Sequence, residues 1–332
     1  MPMPMDNFEI FSERAYLTRT EVVAQEVAKF NAASGGTITL KGAKNVGDFN
    51  KKAFFGEIAG LIRNRDPYGT GTVAEVQLRQ LQEQSVKVAR GTPPVVVDEQ
   101  MFTYVQQDPK LGGTIYGRQL AVAMVQDMLN TAIGAGVAMI NANTAVGGQN
   151  AVVNITGDTK PHFNPQAANK GVRPFGDRAN LIRAWVMHSN SMNDYYGDNL
   201  ANAEQLYSIE GVNVSRDPFG RLFIQTDCPA LINDTPDPDL LYVLGLVAGG
   251  LYVEDNNDYR MNYSSTNGNE NIHDTIQSEW TYNVGGKRTK WKDAAGGKVP
   301  NAAALNTSTN WENQSTDIKN TPGVLMVTNP KA

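Results

Sequence analysis

A chain of 332 residues that is 41% hydrophobic and 19% charged can bury a core of its own, or two smaller ones, and is too apolar for a disordered tail. A formal net charge of -5 and a pI near 5.3 exclude a protein whose whole surface grips nucleic acid, because such surfaces are dominated by Lys and Arg. The single cysteine, Cys228, excludes an intrachain disulfide, and with three scattered histidines it lacks the spacing of a zinc site.

The N-terminus MPMPMDNFEI has neither the basic stretch nor the apolar run of a secretory signal, so folding in the cytoplasm is expected. Glu21 to Asn31 has helical composition, with Val22, Val23, Val27 and Phe30 forming a rough apolar face. Ser34-Gly35-Gly36 stops that helix, and Thr37 to Leu40 alternates as a strand does. From Asp48 a weak helical stretch runs through Phe54, Ile58 and Leu61 to a break at Arg63-Asn64-Arg65-Asp66-Pro67. Two strand-like runs follow, Val73 to Gln80 and Ser85 to Ala89, about a polar turn at Gln82, Glu83 and Gln84. They predict a long two-stranded excursion.

The firmest element is a helix from Tyr116 to about Asn141, which contains no proline. Its polar residues Arg118, Gln119, Gln126, Asp127, Asn130 and Thr131 fall near one stripe, and those inside Leu120 to Ile140 argue against a membrane span. Beyond Gly147-Gly148 the texture changes to short alternating elements. Strands are predicted at Val152 to Thr156, Ile182 to His188, Leu222 to Thr226, Leu240 to Val247, Trp280 to Val284 and Val324 to Thr328. Helical turns are predicted at Asn164 to Asn169 and Arg178 to Leu181, and a helix capped by Ser189 runs to about Asn199. Glu254 to Asn271, rich in Asn and Asp, reads as a loop or hairpin insertion. The mixture predicts an α+β fold, with no solenoid period.

Candidate chemistry is sparse. Cys228 could be a nucleophile with His162, His188 or His273 as its base, but it lies between Asp227 and Pro229 with no helix N-terminus to lower its pKa, so a half-buried structural thiol is the better reading. A Ser-His-Asp reading also fails, since Ser189 follows His188 directly and neighbouring side chains on a strand point to opposite faces. Glu254-Asp255-Asn256-Asn257-Asp258 offers oxygen ligands without the order of a calcium loop, and reads as solvated chain. Gly69, Gly71 and the Gly-Gly pairs match no phosphate-binding pattern and read as turn residues. Lys287, Arg288, Lys290 and Lys292 make a basic cluster around Trp291. On a strand, Arg288, Lys290 and Lys292 would share one face, able to meet phosphates or an acidic neighbour. No catalytic, cofactor-binding or metal-binding residue is expected.

An ordered set of segments carries more. WVMHSNSMNDYYGDNL (Trp185 to Leu200) leads it, preceded by FNAASGGTITL, GDFNKKAFF, LIRNRD and QSVKVAR, and followed by GVNVSRDPFG (Gly211 to Gly220), GGKRTKW, NTSTNW and DIKNTPGVLMVTN. In order and spacing the chain resembles the major capsid proteins of tailed bacteriophages, although Ser215-Arg216-Asp217 departs from the paired acids of the family's hairpin.

That resemblance implies the Hong Kong 97-type capsid fold: an N-terminal arm at 1–46, an extended loop and its flanks at 47–110, a peripheral domain with the spine helix at 111–150, an axial domain at 151–280, and a return to the peripheral domain at 281–332. It implies a non-enzymatic shell protein of the virion, assembled in the host cytoplasm, whose copies form hexamers and pentamers around double-stranded DNA. A separate scaffolding protein and a portal are expected partners, the former because no long helical extension precedes the arm; a decoration protein is a further one, and no membrane is involved. Lys51 and Lys52 lie near the extended loop but match no crosslinking motif, so a covalent shell is not expected. The alternatives are an encapsulin-like compartment, a hydrolase using Cys228 or Ser189, and a calcium-dependent adhesin.

Overall fold

The computed structural model describes residues 5–45, 47–58, 61–96, 109–198, 204–209, 212–216, 222–235, 239–267 and 273–331. The chain opens with helix α1 (Met5–Ala33), followed by β1 (Ile38–Gly42), β2 (Phe49–Phe55), β3 (Gln80–Gly91) and β4 (Val95–Val96). Helix α2 (Pro109–Asn141) has 33 residues, about 50 Å at roughly 1.5 Å per residue. After it come β5 (Val152–Asn154), α3 (Pro165–Val172), β6 (Ile182–Met187), α4 (Ser189–Asp198), β7 (Glu204–Ile209), β8 (Val212–Arg216) and β9 (Leu222–Thr226). The last strands are β10 (Ile232–Asn233), β11 (Leu240–Val247), β12 (Leu251–Asp255), β13 (Arg260–Thr266), β14 (His273–Gly286), β15 (Thr289–Trp291), β16 (Trp311–Asn313) and β17 (Gly323–Thr328).

Two sheets share the core with α2. In the first, β1 runs parallel to β12, and β12 and β3 flank β14 antiparallel, with β15 and β16 beyond β3 and with β2 pairing β3. Ile38, Leu40, Val86, Val88, Val253, Tyr282 and Val284 are buried in one cluster with Met124, Met128, Leu129 and Met139 of α2. In the second sheet the order is β5-β17-β11-β6-β9-β8-β7, and every residue of β17 is buried. The interior of α2 is Leu, Ala, Met, Val and Ile with little polar surface to satisfy, so a helix between two sheets is what its composition permits. It is long and apolar enough to cross a membrane, but 67% of its apolar window is buried against protein.

Helices α1 and α2 lie side by side. The carbonyl of Phe11 faces Gly113, that of Ala15 faces Gly117, and Arg19 Nε meets Met124 sulfur at 3.3 Å, so the two helices run parallel. A Cβ on Gly113 or Gly117 would lie 2.5 Å from those carbonyl oxygens, which is why glycine occupies both positions. Packing of this kind explains two departures from the sequence reading. Helix α1 begins at Met5 rather than Glu21, and α2 at Pro109 rather than Tyr116, because each supplies the tertiary contacts that the other's weak propensity lacks. The 1–46 segment therefore holds a helix of 29 residues ahead of β1 where a short one was expected.

Other corrections follow from pairing. The stretch after Asp48 is strand β2, not helix: it pairs with β3 from Phe49↔Val86 to Phe55↔Gln80. The excursion is thus built from β2 and β3. Gln82, Glu83 and Gln84 lie within β3, while Val73 to Arg79 is unpaired chain. Residues 254–266 finish β12, kink at Asn257 (φ 54°) and run on as β13 in the same direction along β14, so the insertion is one arm of a long hairpin whose other arm is β14; its 268–271 portion lies outside the described residues. Ser189 is the first helical residue of α4, and the cap is the preceding imidazole, since Asn190 N–H donates to His188 Nδ1 at 3.2 Å.

Candidate functional site

The feature without an internal role is the excursion between β2 and β3. Residues 61–80 are all exposed, and Leu61 (72%), Ile62 (96%) and Tyr68 (93%) are bare apolar side chains. Asp66 organises the tip: its carboxylate accepts from Tyr68 N–H at 2.9 Å and its carbonyl from Gly69 N–H at 3.3 Å, so Gly69 is a turn residue, as its sequence context implies. An arm with so much uncovered apolar surface is stable only when a neighbour covers it.

Its root is fixed by three carboxylates. Glu254, 1% exposed, accepts from Lys52 Nζ at 2.7 Å and Lys41 Nζ at 3.1 Å on one oxygen and from Asn50 Nδ2 at 2.8 Å on the other. That joins β2 to β1 and β12. Glu57 accepts from Asn320 Nδ2 at 2.7 Å and pairs with Arg288 at 3.5 Å, and Glu83 accepts from Arg288 N–H at 2.8 Å. The Arg288 guanidinium also lies over Phe54, 5.2 Å from the ring centre. Gly56 N–H donates to the Arg79 carbonyl at 2.8 Å and closes the base.

Burial of Glu254 raises its pKa, but hydrogen bonds from Lys52, Lys41 and Asn50 outweigh that and hold it below the usual carboxylate range. A depressed pKa contributes stability above the unfolded value of about 4.3, lost as pH falls through the folded value. The root of the arm is therefore expected to loosen selectively in acid. Amide exchange of residues 49–55, followed as pH falls below about 4, should accelerate more in wild type than in Glu254→Gln; equal acceleration in both removes Glu254 as the cause.

The basic cluster does not form one face. Arg288 sits at φ 54° in the turn between β14 and β15, Trp291 is fully buried edge-on to Trp311 at 4.7 Å, and Lys287 has its pKa lowered by burial and then by Arg288. The glycines before it turn the chain and the tryptophan anchors it, which leaves Arg288 to hold the arm. No sequence signal ties Arg288 to Glu57 and Glu83, more than 200 residues away.

Enzyme-like candidates come apart or find structural work. Cys228 is buried, donates only to the Asn130 carbonyl at 3.6 Å, and burial raises its pKa; no described histidine touches it. Structure does bring Ser189, His188 and Asp227 together, with Ser189 Oγ 3.3 Å from His188 Nδ1 and His188 Nε2 3.4 Å from Asp227 Oδ1. The lone pair of Nδ1 is already engaged by the Asn190 amide, so the ring serves as a helix cap oriented by Asp227 and not as a base for Ser189. His162 is buried next to the cap of α3, and the side chain of His273 lies outside the described residues. Of the acidic run, Glu254 holds lysines, Asp255 pairs with Arg19 at 3.9 Å, and Asp258 accepts from Thr281; among the described residues no three metal-binding groups converge.

Two sheets packed on α2, with α1 beside it and an arm of bare apolar side chains, suit a subunit that is completed by its neighbours. The family model for major capsid protein 13-like proteins matches residues 7–325. The chain belongs to that family of major capsid proteins. It is a capsid shell protein of the α+β, Hong Kong 97-type fold, and neither the compartment nor the hydrolase alternative is favoured. Among solved structures, the capsid of Ralstonia phage GP4 is similar at a TM-score of 0.50 and 9% identity, over 90% of this chain and 88% of that one. The capsid of cyanophage Pam1 aligns at 0.49 and 11% identity over 86% of each chain. A search of the curated proteins finds no match.

Proposed function

We propose that copies of this subunit form hexamers and pentamers that close into the icosahedral head of a tailed phage and enclose its double-stranded DNA. The observation that carries the reading is the arm: bare apolar side chains on a two-stranded base clamped to its own subunit by Glu254, Glu57 and Glu83. In the division we propose, 1–46 is the N-terminal arm, 47–110 the extended loop, 111–150 and 281–332 the peripheral domain and 151–280 the axial domain around the capsomer axis. Repetition of modest contacts around a closed shell then supplies its strength. A net charge of -5 suits DNA held by enclosure through non-specific contacts. A separate scaffolding protein, a portal and a decoration protein are the partners this reading adds, with assembly in the host cytoplasm and no catalytic step.

Electron cryomicroscopy of material expressed with the neighbouring genes tests it. Closed icosahedral shells whose subunits show α1 and α2 as two long parallel helices are expected; a homogeneous monomer or dimer overturns the reading.

A further inference from the structure

The second sheet is covered differently on its two faces. Gly134 and Val137 of α2 line one cleft with Leu325 and Val327 of β17, whereas a Cβ on Gly171 of α3 would lie 2.5 Å from the sulfur of Met326 and 2.7 Å from the ring of Trp185. Neighbouring side chains on a strand point to opposite faces, so α2 and α3 lie on opposite sides of the sheet. The α3 side is closed by one continuous segment, α3 and the 3-10 turns Arg173–Leu181 that follow it. Phe163, Ala167, Ala168, Gly171 and Phe175 are buried and hold that segment to the sheet.

What the segment turns outward is basic. Between Asp158 and Arg183 the chain carries five cations against two carboxylates, in a protein with only 29 Lys and Arg against 34 Asp and Glu. Gln166, Lys170 and Arg173 follow i, i+4, i+7 spacing and form the exposed stripe of α3, away from Ala167, Ala168 and Gly171. Lys160 stands beside them and lines, with Gln166 and Lys170, a depression of about 350 Å³. Arg178 and Arg183 are exposed further along. Both carboxylates are already matched, Asp158 by Lys170 and Asp177 by Lys319 of the turn before β17. Among the described residues Lys160, Arg173, Arg178 and Arg183 make no ion pair, and cations gathered on one rigid surface without counter-charge attract a polyanion.

We propose that this face, on the side of the second sheet away from α2, lines the interior of the shell and meets the phosphates of the enclosed double-stranded DNA. The proposal rests on the shell reading above and adds which surface points inward. Because α3 lies flat on the sheet, its long side chains reach phosphate oxygens and not base edges, so the contact is independent of base sequence. A few such contacts per subunit, repeated over the whole shell, hold the DNA while the remainder of an acidic surface stays clear of it.

The chain's one native thiol is buried, so Lys160→Cys reports the direction of the face. A maleimide carrying a large polyethylene glycol should modify that variant as unassembled subunits and fail to modify it in closed, DNA-free shells. Modification of closed shells from outside overturns the proposal and leaves the shell reading intact. In unassembled subunits, changing Lys160, Arg173 and Arg178 together to Gln should lower the slope of log affinity for a short DNA duplex against log salt by about 3, at roughly 0.9 per phosphate contact. Changing Lys290, Lys292 and Lys298 to Gln should leave that slope as it is; equal slopes for the two triple variants overturn the proposal. Photocrosslinking in filled heads should join DNA to peptides from 158–183, and crosslinks of that segment to an acidic scaffolding protein with none to DNA also overturn it. Absence of shells from the wild-type chain overturns both readings.

Discussion

Replacement of Trp185 by alanine is expected to cost about 3–5 kcal/mol, the range for removing a buried Trp or Phe side chain. Trp185 projects from β6 and its ring lies against two glycines: a Cβ on Gly245 would approach it to 2.8 Å, and one on Gly171 to 2.7 Å. Phe163 packs on it at 5.6 Å and leads to Tyr195 and then Phe223, with 5.7 and 4.9 Å between ring centres. Backbone on two sides cannot collapse into the hole, so relaxation is limited and the loss should fall high in that range. Against a typical domain stability of about 5–15 kcal/mol the variant should be close to unfolding at 37 °C. Urea unfolding of unassembled subunits measures it. Gly245→Ala alone should also destabilise, and combined with Trp185→Leu it should cost less than the sum; strict additivity would mean the glycine and the ring do not meet.

That cluster was partly legible in the sequence. The WVMHS segment announces a buried strand followed by a helix, and β6, α4, β9 and β11 lie within a residue or two of their predicted spans. These elements have a clear apolar period or an unbroken apolar run, and their packing follows from composition. Sequence could not show that Trp185 needs Gly171 and Gly245 across from it, because a glycine chosen for a ring is indistinguishable from one chosen for a turn.

The arm was legible as an excursion but not in its pairing. Residues 48–61 contain Phe, Lys and Ala at spacings that suit either period, and only the partner strand decides. Three of the residues that root it were noticed for another reason: Glu254 as an oxygen ligand, Lys52 as a crosslink candidate, Arg288 as one cation of a basic face; Glu57 and Asn50 were not singled out. Their roles are set by contacts between residues about 200 positions apart, which local pattern does not encode. The packing of α1 on α2 was invisible for the same reason, since α1 was predicted to start at Glu21, beyond its contacts at Phe11, Ala15 and Arg19.

Gly113 and Gly117 make the converse case, where local propensity and tertiary fit pull in opposite directions. Changing both to alanine should gain about 1 kcal/mol each in helix propensity. Each new Cβ, however, would sit 2.5 Å from a carbonyl oxygen of α1, at Phe11 and at Ala15, and backbone cannot yield as the end of a flexible side chain does. The helices must part, at roughly 1–3 kcal/mol per overpacked site. They also lose the burial of Phe11, Ala15 and Arg19, and of the small cluster in which Phe11 meets Ile276, Tyr116, Met261 and Tyr263. The clash should win. Limited trypsin digestion should then cut at Arg14 and Arg19 much faster than in wild type. A double variant that is more stable than wild type and keeps α1 protected would show that propensity, not the close approach of two backbones, governs this pair.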